Sequence, residues 1–243
     1  FGRYLLKNPP VVLAAAYAGQ RFLDINDHEK ERVLPLIATD QRRPEEIEPP
    51  EIPGFETSAD PDKRAIWNPP NVGLIDTIDN GTRVVPAWAP NNTGRTYYHL
   101  AFELARLYWG LPPGSIKVRG DAIDFVRPDG GLQTSVPLIA GQLIEVNWFT
   151  HWESPLTALA SFSTVFKYAD AALSKDPEEQ AAGKKFFTQN DFKDAVVLIG
   201  PVDPLLQDLA PTSLDEHAVP KVSVHGNMLK TIVAGLYLKH LPA

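Results

Sequence analysis

Five apolar residues, Ala195 to Ile199, run without a polar interruption into Gly200-Pro201. A short unbroken apolar run that stops at Gly-Pro reads as a strand buried on both faces. A strand with one wet face would alternate apolar and polar residues instead. The run therefore predicts a central place in a mainly parallel sheet. The loop beyond it, "GPVDPLLQDLAPTSL", carries Asp203, Asp208 and Thr212. Loops at the ends of such strands are where α/β proteins often place a site.

Other stretches point to the same class. "NPPVVLAAAYAG", Asn8 to Gly19, is a second apolar run between Pro-Pro and Gly and is read as a buried strand. Residues 1–7 suit the end of a preceding helix. Residues 40–63 are rich in Pro, Glu and Asp and read as an exposed loop insertion. Leu74–Ile78 and Arg83–Trp88 flank Asp79-Asn80-Gly81, a tight-turn signal, and predict an antiparallel hairpin. "YYHLAFELARLYWG" is periodic at 3.6 residues, with Thr96 as its expected N-cap and Gly110 with Pro112-Pro113 as its stop. Short strands are expected at 116–118, 122–126, 143–149 and 222–224. A packed helix is expected after Ser154-Pro155, with Leu156, Leu159, Ala160 and Phe166 inward, and a closing amphipathic helix over 228–237. The expected fold is α/β: one domain, a mainly parallel central sheet with helices on its faces, and the antiparallel hairpin.

Composition removes several functions. The 243-residue chain has a net charge of −7 and no run of Lys and Arg, which argues against nucleic acid as a partner. It has no cysteine, hence no disulfide, no thiolate metal site and no Cys nucleophile. Nothing approaches the ~18 consecutive apolar residues of a membrane span. The chain opens at Phe1 without Met or a signal peptide, so it reads as a piece of a longer protein.

Catalytic and cofactor signatures are missing too. There is no G-x-S-x-G, no H-E-x-x-H, no phosphate-binding Lys loop and no G-x-G-x-x-G after a strand. The expectation is no catalytic residue, no cofactor and no metal; the six histidines lack two-His ligand spacing. His225 can cap a ligand, sense protons or simply fix a junction. Asp203, Asp208 and Thr212 can bind a ligand, or brace the loop by accepting its backbone N–H groups. Bracing is the preferred reading, and losing a brace at Asp208 would cost about 1–2 kcal/mol. Trp148, with Phe149 and Trp152, suits a pocket wall or a core edge.

Taken in order, these pieces are similar to a known family. "FKDAVVLIGPVDPLLQDLAPTSL" followed by "VPKVSVHGNMLKTIVAG" resembles CHASE2, the extracytoplasmic sensor domain of bacterial transmembrane receptors. The matching residues are Gly200, Asp208, Pro211, Thr212, Pro220, Val222, His225 and Asn227. "NPPVVLAAAYA", the Asp79-Gly81-Arg83 hairpin and "LIEVNWFTHWESPLTALASFSTV" fit the same family order. Lys221 stands where the family has Gly, Gly226 where it has Ala, and Trp148 where it has Tyr. Pro211 and Thr212 are reversed, Asn80 interrupts Asp-Gly, and the family's opening Trp-Pro-x-Arg strand and helix are missing.

The resemblance implies that residues 1–243 are a sensory input domain of a membrane-bound bacterial receptor. The output would be an adenylate or guanylate cyclase or a protein kinase such as a histidine kinase. The domain would lie on the periplasmic side of the inner membrane, anchored by flanking transmembrane helices. Its partner would be an unidentified small-molecule or protein ligand, with homodimerisation through the parent receptor. Asp203, Asp208, Thr212, His225, Asn227 and Trp148 are the candidates for ligand binding or relay. The competing readings are a dimerisation or interaction module that binds no ligand and, behind it, an α/β hydrolase-type enzyme using Asp203 or Asp208 with His225.

Overall fold

The computed structural model describes residues 10–17, 47–48, 71–77, 84–90, 96–154, 158–190, 192, 194–203, 205 and 208–238. The element order opens with β1 (Leu13–Tyr17), β2 (Ile47–Glu48), β3 (Val72–Leu74), β4 (Val84–Pro86), β5 (Trp88–Pro90) and β6 (Thr96–Tyr98). Helix α1 (Leu100–Tyr108) precedes β7 (Ile116–Arg119), β8 (Ala122–Val126), β9 (Leu132–Pro137) and β10 (Leu143–Glu145). Helices α2 (Phe162–Ala172) and α3 (Pro177–Gln189), strands β11 (Leu209–Ala210) and β12 (Val219–Pro220), and helix α4 (Val222–Ala234) complete the described elements.

Among the described residues there is no mainly parallel central sheet. Their strands form small sheets, ordered β2-β1-β3, β4-β10, β5-β6, β7-β8-β9 and β11-β12. Only β1–β3 is parallel, joined by an isolated parallel bridge between Leu74 and His99. The expected hairpin fails in its pairing and in part of its first arm. Of Leu74–Ile78 only Leu74 is strand, at the end of β3, while the second arm holds β4 and the start of β5; β3 joins β1 and β4 joins β10. The turn at 79–81 lies outside the described residues, as do residues 1–7. Within the 40–63 insertion, residues 47–48 are not loop but pair with β1.

The run 195–199 departs furthest from expectation. It is not a strand, and Val197 and Ile199 are 53% and 75% exposed. Only Leu198 turns partly inward. A Cβ on Gly226 would stand 3.3 Å from its Cδ1, so Leu198 rests on α4. The segment lies on a helix, with one side chain inward, rather than inside a sheet. An apolar run alone does not distinguish these two situations.

Helix α1 begins at Leu100, not at Tyr97, because 96–98 are taken by pairing with β5. His99, rather than Thr96, is its N-cap: the side chain accepts from Ala101 N. Gly110, at φ 64°, and the prolines after it end the helix. Its buried face, Ala101, Phe102 and Ala105, meets the meander β7-β8-β9, where Phe102 stacks on Phe125 at 5.9 Å and Trp109 meets the same ring edge-on at 4.9 Å. Arg106 is buried but fully engaged. It donates to Glu103 (2.8 Å), to the Leu111 carbonyl (2.9 Å) and to Asn71 Oδ1 (2.6 Å). Asn71 in turn donates to the Val11 carbonyl, tying α1 to β1.

Helix α4 covers the same core with Val224, Met228 and Ile232. It starts at Val222, so the strand expected at 222–224 is its first turn. Helices α2 and α3 pack on each other. Ser161 precedes α2, and Leu159, Ala160 and Phe166, expected inward, are exposed, while Pro155 and Leu156 lie outside the described residues. Asp176 caps α3 by accepting from Glu178 and Glu179 N–H. Tyr168 stacks on Phe186 at 4.3 Å. A Cβ on Gly183 would fall 2.3 Å from Ala172 N, so only glycine permits this approach.

Candidate functional site

The polar groups gather along α4. Three of its side chains bond to two other parts of the chain. Thr231 Oγ1 accepts from Asn147 N at 3.1 Å, and Asn227 Oδ1 accepts from Phe149 N at 3.2 Å. Residues 146–149 follow β10 directly and have no strand partner among the described residues. Two residues of extended chain advance about 6.6 Å, and four helical residues about 6 Å. The i, i+4 pair on the helix therefore matches the i, i+2 pair on the segment. The helix satisfies N–H groups that a neighbouring strand would otherwise take. Asn147 also donates to the Leu236 carbonyl at 3.0 Å, just past the end of α4.

The third bond is between two buried histidines. His225 Nδ1 lies 3.1 Å from His99 Nε2, with ring centroids 5.0 Å apart. His99 sits at a junction: its N–H reaches the Ala87 carbonyl, and its carbonyl accepts from Phe102 N–H. Burial, and then the neighbouring His225, push the His99 pKa well below 6.5. Burial, and then the Lys221 charge, bring His225 down to about 4. Both rings are neutral at pH 7.

The loop before α4 is braced on itself and on the helix start. Asp203 is exposed and accepts from Leu205 N at 2.9 Å. The Asp208 carbonyl accepts from Lys221 N at 2.9 Å, while its carboxylate stands 4.0 Å from Lys221 Nζ. Thr212 Oγ1 donates to Asp215 Oδ2 at 2.7 Å and accepts from Leu214 and Asp215 N–H. Asp215 also accepts from Trp152 N and lies 3.4 Å from His151 Nδ1. Burial raises the Asp215 pKa, but bonds from Thr212, the Trp152 N–H and His151 outweigh it, and the net shift is downward. Gly200 lies against the first turn of α4, where a Cβ would come 2.9 Å from Val222 Cβ.

Of the six sequence candidates, His225 and Asn227 lie on α4, and Asp208 is held at its start. Trp148 is buried between the two residues that α4 holds, and its indole N–H meets no acceptor among the described residues. Thr212 acts with Asp215 farther along the loop, and Asp203 stays in its own turn. Sequence reasoning missed His99, Asn147, Thr231 and Asp215. His99 was legible only as a residue just ahead of a periodic helix. Its partner is 126 residues away, and no local pattern encodes that distance.

An open cleft of about 440 Å³ lies beside α1, lined by Asn71, Tyr98, Glu103, Arg106, Ile116 and Lys117. Its buried cation is already satisfied within the fold. Among the described residues no three His, Cys, Asp or Glu cluster for a metal. No helix among them is long and apolar enough to cross a membrane.

The chain matches the CHASE2 domain family over residues 5–242, nearly its whole length, and it belongs to that family. CHASE2 domains are extracytoplasmic sensory domains of signalling receptors and are not themselves catalytic. No match was found among curated proteins or among solved structures.

Proposed function

We propose that this domain is the periplasmic input module of a membrane-bound bacterial receptor, and that α4 is the element that carries the signal out. The output would be an adenylate or guanylate cyclase or a protein kinase, with transmembrane helices flanking the domain. The observation that carries this reading is the triple attachment of α4. His225, Asn227 and Thr231 bond respectively to the head of α1, to Phe149 and to Asn147. A stimulus that favours one arrangement of these contacts shifts the helix as a body. The braced loop 200–215 holds the helix start, which favours relay over a mobile lid.

The first test is the gene itself. Apolar spans and a cyclase or kinase domain encoded next to this segment are expected. A gene ending directly after Ala243, with no apolar span ahead of Phe1, would sink the reading. A thermal-shift screen of small molecules and candidate protein partners then looks for the stimulus, since a ligand bound only by the folded state raises its melting temperature.

A second reading, an interaction module without a small-molecule ligand, is favoured by one observation. Leu159, Phe162, Phe166 and Leu173 leave apolar side chains exposed on and beside α2. Sedimentation of the chain that shows self-association, abolished by Phe166→Glu, would promote it. The hydrolase reading has no support in the geometry. Among the described residues no hydroxyl or carboxylate bonds to His225, whose Nδ1 is engaged by His99.

A further inference from the structure

We propose that the His99–His225 pair is a proton-binding latch, and that acid is a stimulus this domain reads directly by losing the bond between α1 and α4. The proposal rests on the sensory reading only for where the signal goes. The latch itself stands on the geometry of the pair.

The hydrogen-bond partners fix the tautomers. His99 Nδ1 accepts from Ala101 N–H at 3.2 Å, so it carries no proton. The proton of the neutral ring is then on Nε2. That Nε2–H points at His225 Nδ1, 3.1 Å away, which must accept. The proton of His225 is therefore on its own Nε2. The bonds run one way, from the Ala101 N–H through His99 to His225.

An added proton cannot keep both bonds, because an imidazolium has two donors and no acceptor. Placed on His225 Nδ1, it faces the Nε2–H of His99, and two donors meet. Should His99 change tautomer to relieve this, its Nδ1–H then faces the Ala101 N–H and the cap of α1 is lost. A proton placed on His99 itself also removes that cap. Every route breaks either the join to α4 or the start of α1.

Nothing around the pair supports the charged form. His99 is fully buried and His225 is 7% exposed. The charged or titratable groups on the elements packed around them are Asp76 beyond β3, Tyr97 and Tyr98 on β6, Glu103, Arg106 and the exposed Tyr108 on α1, and Lys221 at the head of α4 with the exposed Lys230 farther along it. Glu103 is paired with Arg106. Tyr98 donates to the Ile116 carbonyl. Lys221 is a like charge and opposes protonation of His225. Among the described residues neither ring is ion-paired with a carboxylate. The pair is stable while neutral and loses its bond once acid forces a proton onto it. The released helix is the one whose Asn227 and Thr231 hold Phe149 and Asn147.

The test uses the whole 243-residue chain, ¹⁵N-labelled at histidine, in an acid titration followed by ring and amide NMR. At neutral pH both rings should be Nε2–H tautomers. The pair should titrate well below the usual histidine range. Across the same step, amide exchange at Ala101, Asn147 or Phe149 should rise about tenfold, the signature of local opening. His99→Asn keeps a good N-cap but is too short to reach His225. In it, exchange at Asn147 and Phe149 should be raised already at neutral pH and should lose its acid step. An Nδ1–H tautomer on His99, rings that titrate like free histidine, or an acid step unchanged in His99→Asn would each overturn the latch. The ring measurements need only the wild-type chain, so a variant that fails to fold does not rescue the idea. A latch that opens in a gene without membrane spans or output domain would sink the sensory reading alone. An intact receptor whose pair titrates normally would sink the latch alone.

Discussion

Thr231 Oγ1 accepts the backbone N–H of Asn147 at 3.1 Å, and its hydroxyl also lies 2.8 Å from the Asn227 carbonyl one helical turn back. Thr231 is fully buried. One side chain thus joins α4 to the segment after β10 while using its own proton on the preceding turn.

Thr231→Val keeps the shape and removes the acceptor. It leaves the Asn147 N–H without its partner, which should cost about 1–3 kcal/mol. Thr231→Ser, which keeps the hydroxyl, should cost clearly less. Urea denaturation of both variants decides the matter. A valine variant as stable as the parent would mean that water, or a shift of the segment, replaces the bond without loss.

Stability should fall as the solution is acidified from neutrality. His225 has a folded-state pKa near 4, through burial and the Lys221 charge, against about 6.5 in the unfolded chain. Between these values the unfolded chain binds more protons than the folded one. The His225 contribution is therefore fully present above pH 6.5 and is lost as pH falls toward 4, by of order 3 kcal/mol at the lower end. His99 acts in the same direction. Asp215, with its lowered pKa, adds a further loss as pH falls through its folded value. Denaturation midpoints measured across this range should slope upward with pH. His225→Gln should flatten the slope, and an unchanged slope in that variant would remove His225 as its source.

How much of this was legible can be judged from particular residues. The strands 116–118 and 122–126 and the core of the helix around Phe102 follow from local periodicity, and the structure has them; the closing helix is present too, but it starts at Val222 rather than Met228 and ends at Ala234, so Leu236 and Tyr237 lie past it. Pairing was not legible, since nothing in "DNG" says that β3 will join β1 while β4 joins β10. The run Ala195–Ile199 misled because apolar content reports a preference for burial without naming the partner. Here the partner is a helix, and only Leu198 turns toward it. In the site, His225 and Asn227 stood out through the family pattern at the start of α4. Their partners, His99 and the Phe149 N–H, are set by tertiary contact.

The α2–α3 pair gives an independent check on packing. A methyl group on Gly183 would meet the backbone of Tyr168 and Ala172, with the nearest atom 2.3 Å away. Backbone cannot step aside as a side-chain tip can, so the helices must separate. Gly183→Ala should cost about 1–3 kcal/mol by overpacking, despite the better helix propensity of alanine. The Tyr168–Phe186 stack should loosen, visible in ring chemical shifts, while shifts of Phe102 and Phe125 stay put. A more stable variant would show that propensity wins and that the two helices are not tightly apposed.

The loop that leads into α4 carries two carboxylates with similar local sequence settings but different roles. Asp208 holds the helix start through its backbone: the carbonyl accepts from Lys221 N–H, and no substitution of the side chain removes that bond. Its carboxylate reaches Lys221 only at 4.0 Å, with both side chains partly in solvent. Such a pair contributes little, so Asp208→Ala should change stability by no more than about 0.5 kcal/mol. This is below the brace value the sequence alone suggests for that position. Asp215 works with its side chain. It receives the Thr212 hydroxyl and the Trp152 N–H, and His151 lies beside it, so one carboxylate joins residues 151–152 to residues 212–215. Asp215→Ala leaves two partly buried donors unpaired and should cost about 1–3 kcal/mol. Asp215→Asn keeps an acceptor and should fall between the two. Equilibrium denaturation of the three variants gives the order directly. If Asp208→Ala proves as costly as Asp215→Ala, the brace at the head of α4 depends on the Asp208 carboxylate after all, and its ion pair with Lys221 must be tighter in solution than 4.0 Å implies.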